Sequence, residues 1–519
     1  MNISTIDIII FITYCLIVLF VGLFVSRTKK GENKDASDYF LAGRGLSWWV
    51  IGASIISANI SAEQFIGMSG SGFAIGLGMA TYEWIACLGL IIVAKFFIPI
   101  FLKRKIFTMP QFLEQRFDGR VKTVMAFFWL LVFIFINLTS ILYLGALTIE
   151  KVAGIDLWIG IIGLALFAAV YSVYGGLKAV AITDVIQVVF LIGGGLVTTY
   201  IALDLLGDGN GVISGFSNLH AQAQDKFHLI LDKSHPGYKD LPGLSVIIGG
   251  LWVANLYYWG CNQYIIQRAL AAKSVKEAQH GMLFAGFIKL IIPLLVVIPG
   301  IAAFALNAPL DKSDEAYPWL LSNLLPVGLK GIAFAALTAA IVSSLASMMN
   351  SISTIFTMDI YRSYIRKNAD QKELVFAGRW SSFLSLFIAV LIAPMLTGLD
   401  QAFQYIQEFT GFISPGALSI FLAGFFYKRA TANGALAAAV CTFAFSILLK
   451  IFLPDLPWMD RMGIVFLLCC GLIILLGKKK TEHQQDFVIS KSLFKTTPLF
   501  NILSFLLIAI LIIFYCMWW

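Results

Sequence analysis

Apolar runs of about twenty residues alternate with short polar connections along nearly the whole 519-residue chain. They fall near 4–26, 46–69, 74–102, 123–146, 157–176, 181–206, 244–263, 277–306, 327–358, 376–398, 401–427, 433–453, 460–477 and 498–518. A bilayer core takes about 20 apolar residues per helical crossing. Helices are the natural solution there, because they satisfy their own backbone where no water can. The pattern predicts an all-α polytopic membrane protein with about fourteen transmembrane helices. Composition agrees: 59% of residues are hydrophobic and 13% charged, with mean hydropathy +0.86, against roughly 25% charged in a soluble chain. The first run, "MNISTIDIIIFITYCLIVLFVGLFVS", lacks a cationic leader and a small-residue cleavage site. It reads as a retained helix rather than a signal peptide.

The formal charge of +8 raises the question of an acidic partner. With the N-terminus outside, alternate loops hold roughly 27 Lys and Arg on the inner side and roughly 8 on the outer, which is the positive-inside pattern. "SRTKKGENK", "LKRK", "YRSYIRK" and "GKKK" are the inner clusters. The basic excess thus sets orientation, with both termini outside and the bilayer as partner, and nucleic acid is excluded. All seven cysteines lie within apolar segments without metal or disulfide spacing, and read as small packing residues. The longest polar stretch, 207–243, is too short for a core of its own. Its His220, His228 and His235 match no helical metal motif.

One apolar run is out of character. "SANISAEQFIGMSGSG", from Ser57, places hydrogen-bonding and helix-averse residues inside a segment long enough to cross. An echo follows five helices later, where "VANL" at 253–256 repeats the Ala-Asn of "SANI" at 57–60. An odd offset reverses direction across the membrane, so two five-helix units starting here would be related by inversion. Paired interrupted helices in two halves point to a transporter's binding site, although Asn within helices also serves simply to hold neighbours together.

Ionisable residues inside crossings are few, at about 2.5–3.5 kcal/mol each on insertion scales. Glu83 and Lys289 are two of them, and Asp184 opens the sixth helix in "AITDVIQVVF". A buried Lys without a partner loses its charge, so Lys289 is expected to face Glu83, as a structural pair or as part of a site. The amides Asn59, Gln64, Asn255 and Gln407 lie at comparable depth. Amides both donate and accept, which suits a neutral, hydroxyl-rich ligand, while Tyr258, Trp259, Tyr82 and Met68 offer flat or adaptable apolar faces. In the ninth segment Ser343 and Ser344 form a small-residue seam. By itself that is close packing, but two hydroxyls plus carbonyls freed near Ser57 and Ile60 would also cage a sodium ion.

"ANISAEQFIGMSGSG", "YSVYGGLKAV", "TDVIQ", "GGLWVANLYYWGCNQYIIQR", "AAIVSSLASMMNS" and "AFQYIQEFTGFISPG" together resemble the sodium/solute symporters, in particular their bacterial sodium/galactose (sodium/glucose-type) branch. The resemblance runs along nearly the whole chain. It implies a LeuT-type core of two inverted five-helix repeats, at 46–206 and 244–430. An extra N-terminal helix and cytoplasmic loop (1–45), an extracellular loop (207–243) and C-terminal flanking helices (431–519) complete the organisation. It further implies sugar contacts at Gln64, Glu83, Asn255, Lys289 and Gln407, with Asn59 nearby. Tyr258 would be an inner gate backed by Trp259, and Met68 and Tyr82 outer and lateral contacts. Sodium would take the carbonyls of Ser57, Ile60 and Ala340 and the hydroxyls of Ser343 and Ser344, with Asp184 on its inward path. Ala86 replaces a serine of the galactose type, and Ser57 stands where Ala is usual. Ala346 stands where relatives with a second sodium site carry Ser, which favours one sodium per sugar.

The function expected is sodium-coupled hexose symport across a bacterial inner membrane by alternating access. A weak homo-oligomer is left open. Three rivals remain: symport of a carboxylate substrate such as proline, pantothenate or sialic acid, a passive facilitator, and a membrane sensor. No signalling domain follows "FYCMWW", and no nucleophile–base–orienter set at motif spacing suggests an enzyme.

Overall fold

The computed structural model describes residues 4–26, 36–398, 401–477 and 490–519, apart from the side chains of 171–175. The Lys and Arg residues of "SRTKKGENK" and "GKKK" lie outside the described residues. Among those described the chain is helical and has no strands, only an isolated bridge from Leu46 to Ala272.

The helices that matter here are α1 (Thr5–Ser26), α2 (Trp48–Asn59), α3 (Ser69–Ala74), α4 (Ala80–Ile92) and α5 (Gly119–Val132). Then come α6 (Leu157–Leu206), turned at Gly176, α7 (Gly250–Gly260), α8 (Gln263–Leu270), α9 (Val275–Ala305) and α10 (Leu329–Ile355). The chain closes with α11 (Gln371–Ile392), α12 (Ala402–Thr410), α13 (Ser414–Phe426), α14 (Ala432–Phe452), α15 (Trp458–Leu475) and α16 (Pro498–Met517). Among the described residues, ten helical spans are long and apolar enough to cross a bilayer, or twelve if two bent pairs each count as one. The expected fourteen is not reached for two reasons. The segment at 46–69 is broken into short pieces, and the apolar helix Leu157–Val170 falls short of a full crossing.

Burial sorts these helices into layers. The span Leu329–Ile365 is 94% buried in its most apolar window, against 17% for the span within α1 and 22% for α16. Thus α10 is the central post, packed along α6 and against α2, while α1 and α16 turn most of their apolar surface outward. An outward apolar face is what lipid contact requires. Asp7 of α1 fixes the start of the post: its carboxylate accepts from the backbone N–H groups of Gly328 (2.7 Å) and Gly331 (2.8 Å). Those are donors that a helix N-terminus leaves over.

Close approach of backbones joins these layers. A Cβ on Gly300 of α9 would lie 2.1 Å from the Ser69 carbonyl oxygen of α3, and one on Gly281 would lie 2.8 Å from the Trp48 carbonyl oxygen. Helix α9 therefore clamps both halves of the broken segment through glycines, the small-residue packing common in membranes. Gly300→Leu is expected to lower stability by about 1–3 kcal/mol through overpacking. The check is a drop in the melting temperature of the purified protein in detergent.

Candidate functional site

Helix α2 stops at Asn59. Ile60 adopts φ −80°, ψ 96°, and the chain resumes as a widened π-helical turn, Glu63–Met68, before α3. Ser61-Ala-Glu-Gln64 restarts it as a capping box. The Ser61 hydroxyl accepts from Glu63 N–H at 3.2 Å, and Gln64 Oε1 accepts from Ser61 N–H at 3.2 Å. In an unbroken helix Ser61 N–H would go to the Ser57 carbonyl. Here that carbonyl loses this donor. Breaking the helix thus follows from local side-chain chemistry, and it exposes backbone oxygen in the middle of the bundle.

The echo at "VANL" behaves differently. Asn255 lies within continuous α7, its side-chain N–H group donating to the Leu251 carbonyl at 3.1 Å. The interruption comes later, at Cys261–Asn262, where Asn262 is extended and caps α8 by accepting from Tyr264 N–H at 3.1 Å. An Asn satisfied by its own helix does not break it; an Asn that caps the next one does.

A cavity of about 60 Å³ lies beside the first break. It is lined by Asn59, Gln64, Tyr82, Glu83, Asn255, Tyr258, Trp259, Lys289 and Gln407, which is every substrate-side residue expected from the sequence except Met68. Met68 is fully buried and does not reach the cavity. The Lys289 ammonium donates to both Glu83 Oε2 and Asn59 Oδ1. Asn59 Nδ2 donates to the Tyr258 hydroxyl at 3.1 Å. Trp259 Nε1 donates to Asn255 Oδ1 at 3.0 Å, and its ring centre lies 5.1 Å from Lys289 Nζ. Tyr82 donates to Gln404 Oε1 at 3.2 Å. A single hydrogen-bonded chain therefore joins the break, α4, α7 and α9 around the buried ion pair. Ala86 also lines the cavity, so its wall carries a methyl where a Ser would bring a hydroxyl.

On the other side of α2, Ser343 and Ser344 of α10 are fully buried. Ser344 donates to the Ala58 carbonyl at 3.1 Å, and the Ser57 and Ser343 hydroxyl oxygens are 3.3 Å apart. Ala340, also fully buried, lies one turn before them on α10. Asp184 does not open a helix as expected but sits about two turns inside the half of α6 that starts at Gly176. It accepts from Ser343 and, at 2.5 Å, from Ser54. Its carboxylate is 3.7 Å from the Arg268 guanidinium. Arg268 also donates to the Ser54 hydroxyl at 2.9 Å and to Ser347.

Several of these residues escaped the sequence reading. Arg268, Ser54, Ser347 and Tyr264 surround the ion-side seam, and Tyr264 donates to the Ala58 carbonyl. Arg268 lies within a short polar-looking helix, "QYIIQRAL", and reads there as an inner-surface charge; only the need of buried Asp184 for a cation points to it. The S-x-x-Q of the capping box was the available signal for the break. Glu63, Thr410 and Phe403 line the cavity as well, and nothing in their spacing singles them out.

With this geometry in view, comparison with known proteins is specific. Residues 39–441 match the sodium:solute symporter family. The chain is 51% identical to the sodium/glucose cotransporter of Vibrio parahaemolyticus, across 100% of this chain and 99% of the relative. It is 34% identical to the human sodium/myo-inositol cotransporter 2 across 83% of this chain and 67% of that one. Among solved structures, a substrate-bound, outward-open Na+-coupled sialic acid symporter superposes with a TM-score of 0.79. It has 25% identity and covers 91% of this chain and 97% of that chain. A closed conformation of a nucleobase-cation-symport-1 family transporter shares the fold, with a TM-score of 0.59 over 88% of this chain and 100% of that chain at 13% identity.

Proposed function

The chain belongs to the sodium:solute symporter family, and from that premise we propose that it carries a neutral hexose, galactose or glucose, into the cell together with sodium by alternating access. The observation that carries this reading is the charge arrangement in the cavity. Its lysine is already committed to Glu83 and Asn59, and a second carboxylate, Glu63, shares the lining. A carboxylate substrate such as proline, pantothenate or sialic acid needs a spare cation, and this wall offers two carboxylates against one ammonium. A sugar needs donors and acceptors at the edge of an aromatic surface, and Asn59, Gln64, Glu83, Asn255, Lys289 and Gln407 supply them beside Tyr258 and Trp259.

In this reading sodium binds where α2 has let go of its own hydrogen bonds. The carbonyls of Ser57, Ile60 and Ala340 and the hydroxyls of Ser343 and Ser344 hold it, and Asp184 receives the ion on its way inward. Hydroxyl and carbonyl oxygens are the ligands a hard cation prefers. Asn59, two residues beyond Ser57, reaches the sugar wall. One break therefore serves both ligands, which is the physical basis of coupling. The membrane potential adds about 2.3 kcal/mol per charge per 100 mV to the inward drive. The two breaks, at 60–61 and 261–262, are assigned to two inverted five-helix units spanning 46–206 and 244–430. Both termini lie outside the inner membrane of a bacterium.

Proteoliposomes holding the purified protein test this directly. Labelled galactose is expected to accumulate above the outside concentration only with an inward sodium gradient, and unlabelled glucose to compete where proline does not. Equilibration without sodium would mean a passive facilitator, and competition by proline would mean a carboxylate symporter.

A further inference from the structure

Most polar atoms on the Lys289 wall are committed to one another. Lys289 holds Asn59 and Glu83, Asn255 holds Leu251 and Trp259, and the Gln64 oxygen holds Ser61. Three other residues lining the same cavity each carry an atom that is shielded from solvent yet has no hydrogen-bond partner: Glu63 Oε1, Thr410 Oγ1 and Trp458 Nε1. They come from three separate elements, the π-helical turn, the end of α12 and the first turn of α15. Leaving one buried polar atom unsatisfied costs about 1–3 kcal/mol. Three converging on one cavity call for a group inside it to complete them.

Resting on the hexose reading above, we propose that Glu63 and Thr410, with the Trp458 indole, form a second hydroxyl-reading wall of the cavity, and that Glu63 is the residue that rejects anionic sugars. The chemistry is complementary: an acceptor, a hydroxyl that does both, and a donor match sugar hydroxyls, each of which donates and accepts. Among the described residues no cation lies within ion-pair distance of Glu63, whereas Glu83 has Lys289. A hydroxyl donated to an uncompensated carboxylate makes a charge-assisted bond, stronger than a neutral one. A uronate in the same place meets like charge in a low-dielectric pocket, where repulsion is weakly screened.

The test measures inhibition of labelled galactose uptake by galactose, the monodeoxygalactoses and galacturonate, in proteoliposomes of wild type, Glu63→Gln and Thr410→Val. Wild type is expected to discriminate strongly against galacturonate and against one or two monodeoxy sugars. In Glu63→Gln, galacturonate should gain about tenfold relative to galactose, and the deoxy sugar whose missing hydroxyl Glu63 reads should lose its handicap by a similar factor, about 1.4 kcal/mol. Thr410→Val should flatten a deoxy profile without admitting galacturonate. Ratios within twofold of wild type in both variants would overturn the proposal. Should Glu63→Gln fail to fold, Glu63→Asp and Thr410→Val carry the same comparison of ratios. Failure of the wild-type vesicles to take up either labelled galactose or labelled glucose would overturn the hexose reading instead.

Discussion

Lys289→Ala is expected to abolish saturable hexose uptake and to lower stability by about 3–5 kcal/mol, because removing one partner of a buried pair strands the charge of the other. The reason is visible in what Lys289 holds. Its ammonium, 1% exposed as a side chain, bridges Glu83 of α4 and Asn59 at the end of α2. Without it Glu83 is a bare carboxylate in the bundle and Asn59 loses its anchor. Sugar binding should suffer far more than sodium binding, as read by isothermal titration of each ligand separately. Equal loss of both would make the pair purely structural. The double variant Glu83→Gln with Lys289→Met separates the alternatives further. Removing both charges relieves the stranded ion, so folding should recover, whereas hexose binding should not.

Ser344→Ala is expected to weaken sodium and sugar together. The substitution removes the hydroxyl that meets the Ala58 carbonyl across the break, and with it one of the oxygens proposed to hold the ion. An ion–dipole contact from a hydroxyl oxygen to sodium is comparable in size to a hydrogen bond to a charged group, about 1.5–3 kcal/mol, so half-saturating sodium should rise roughly tenfold or more. Coupling between two ligands is reciprocal. Sugar affinity measured at subsaturating sodium should therefore fall by a comparable factor and recover at saturating sodium. Sodium titrations of uptake at several hexose concentrations make the comparison. A sugar affinity that fell but did not recover would place Ser344 in the fold of the site and outside the ion path.

How much of this was legible beforehand depended on scale. The crossings were legible because bilayer thickness imposes a length on every apolar run, and each of the ten clear helical spans falls on a predicted segment. The count was less so. Hydropathy does not register whether a run such as 46–69 is wound continuously, and it is not, because Ser61 N–H donates to the Gln64 side chain and the Ser61 hydroxyl accepts from Glu63 N–H in place of the helix. The same limitation misplaced the second interruption. Asn255 and Asn262 look alike in sequence, but one is bonded back to Leu251 and the other caps α8. The partnership of Glu83 and Lys289 was legible because a buried ammonium must have a counter-charge. The network of Arg268 around Asp184 was not, since Arg268 lies 84 positions from Asp184 near an apparent loop and only the folded bundle brings α8 against α2 and α10. Met68 was expected at the cavity on its size and adaptability, whereas the widened turn leaves it wholly buried in packing.

Reciprocal titration of the two ligands examines the heart of this account, that a single interrupted helix serves cation and hexose at once. On purified protein in detergent, the gain in galactose affinity between zero and saturating sodium should equal the gain in sodium affinity between zero and saturating galactose. Both gains should shrink in parallel when Asn59, which joins the break to the sugar wall, is replaced by Ala. Galactose binding of undiminished strength in the absence of sodium would contradict it.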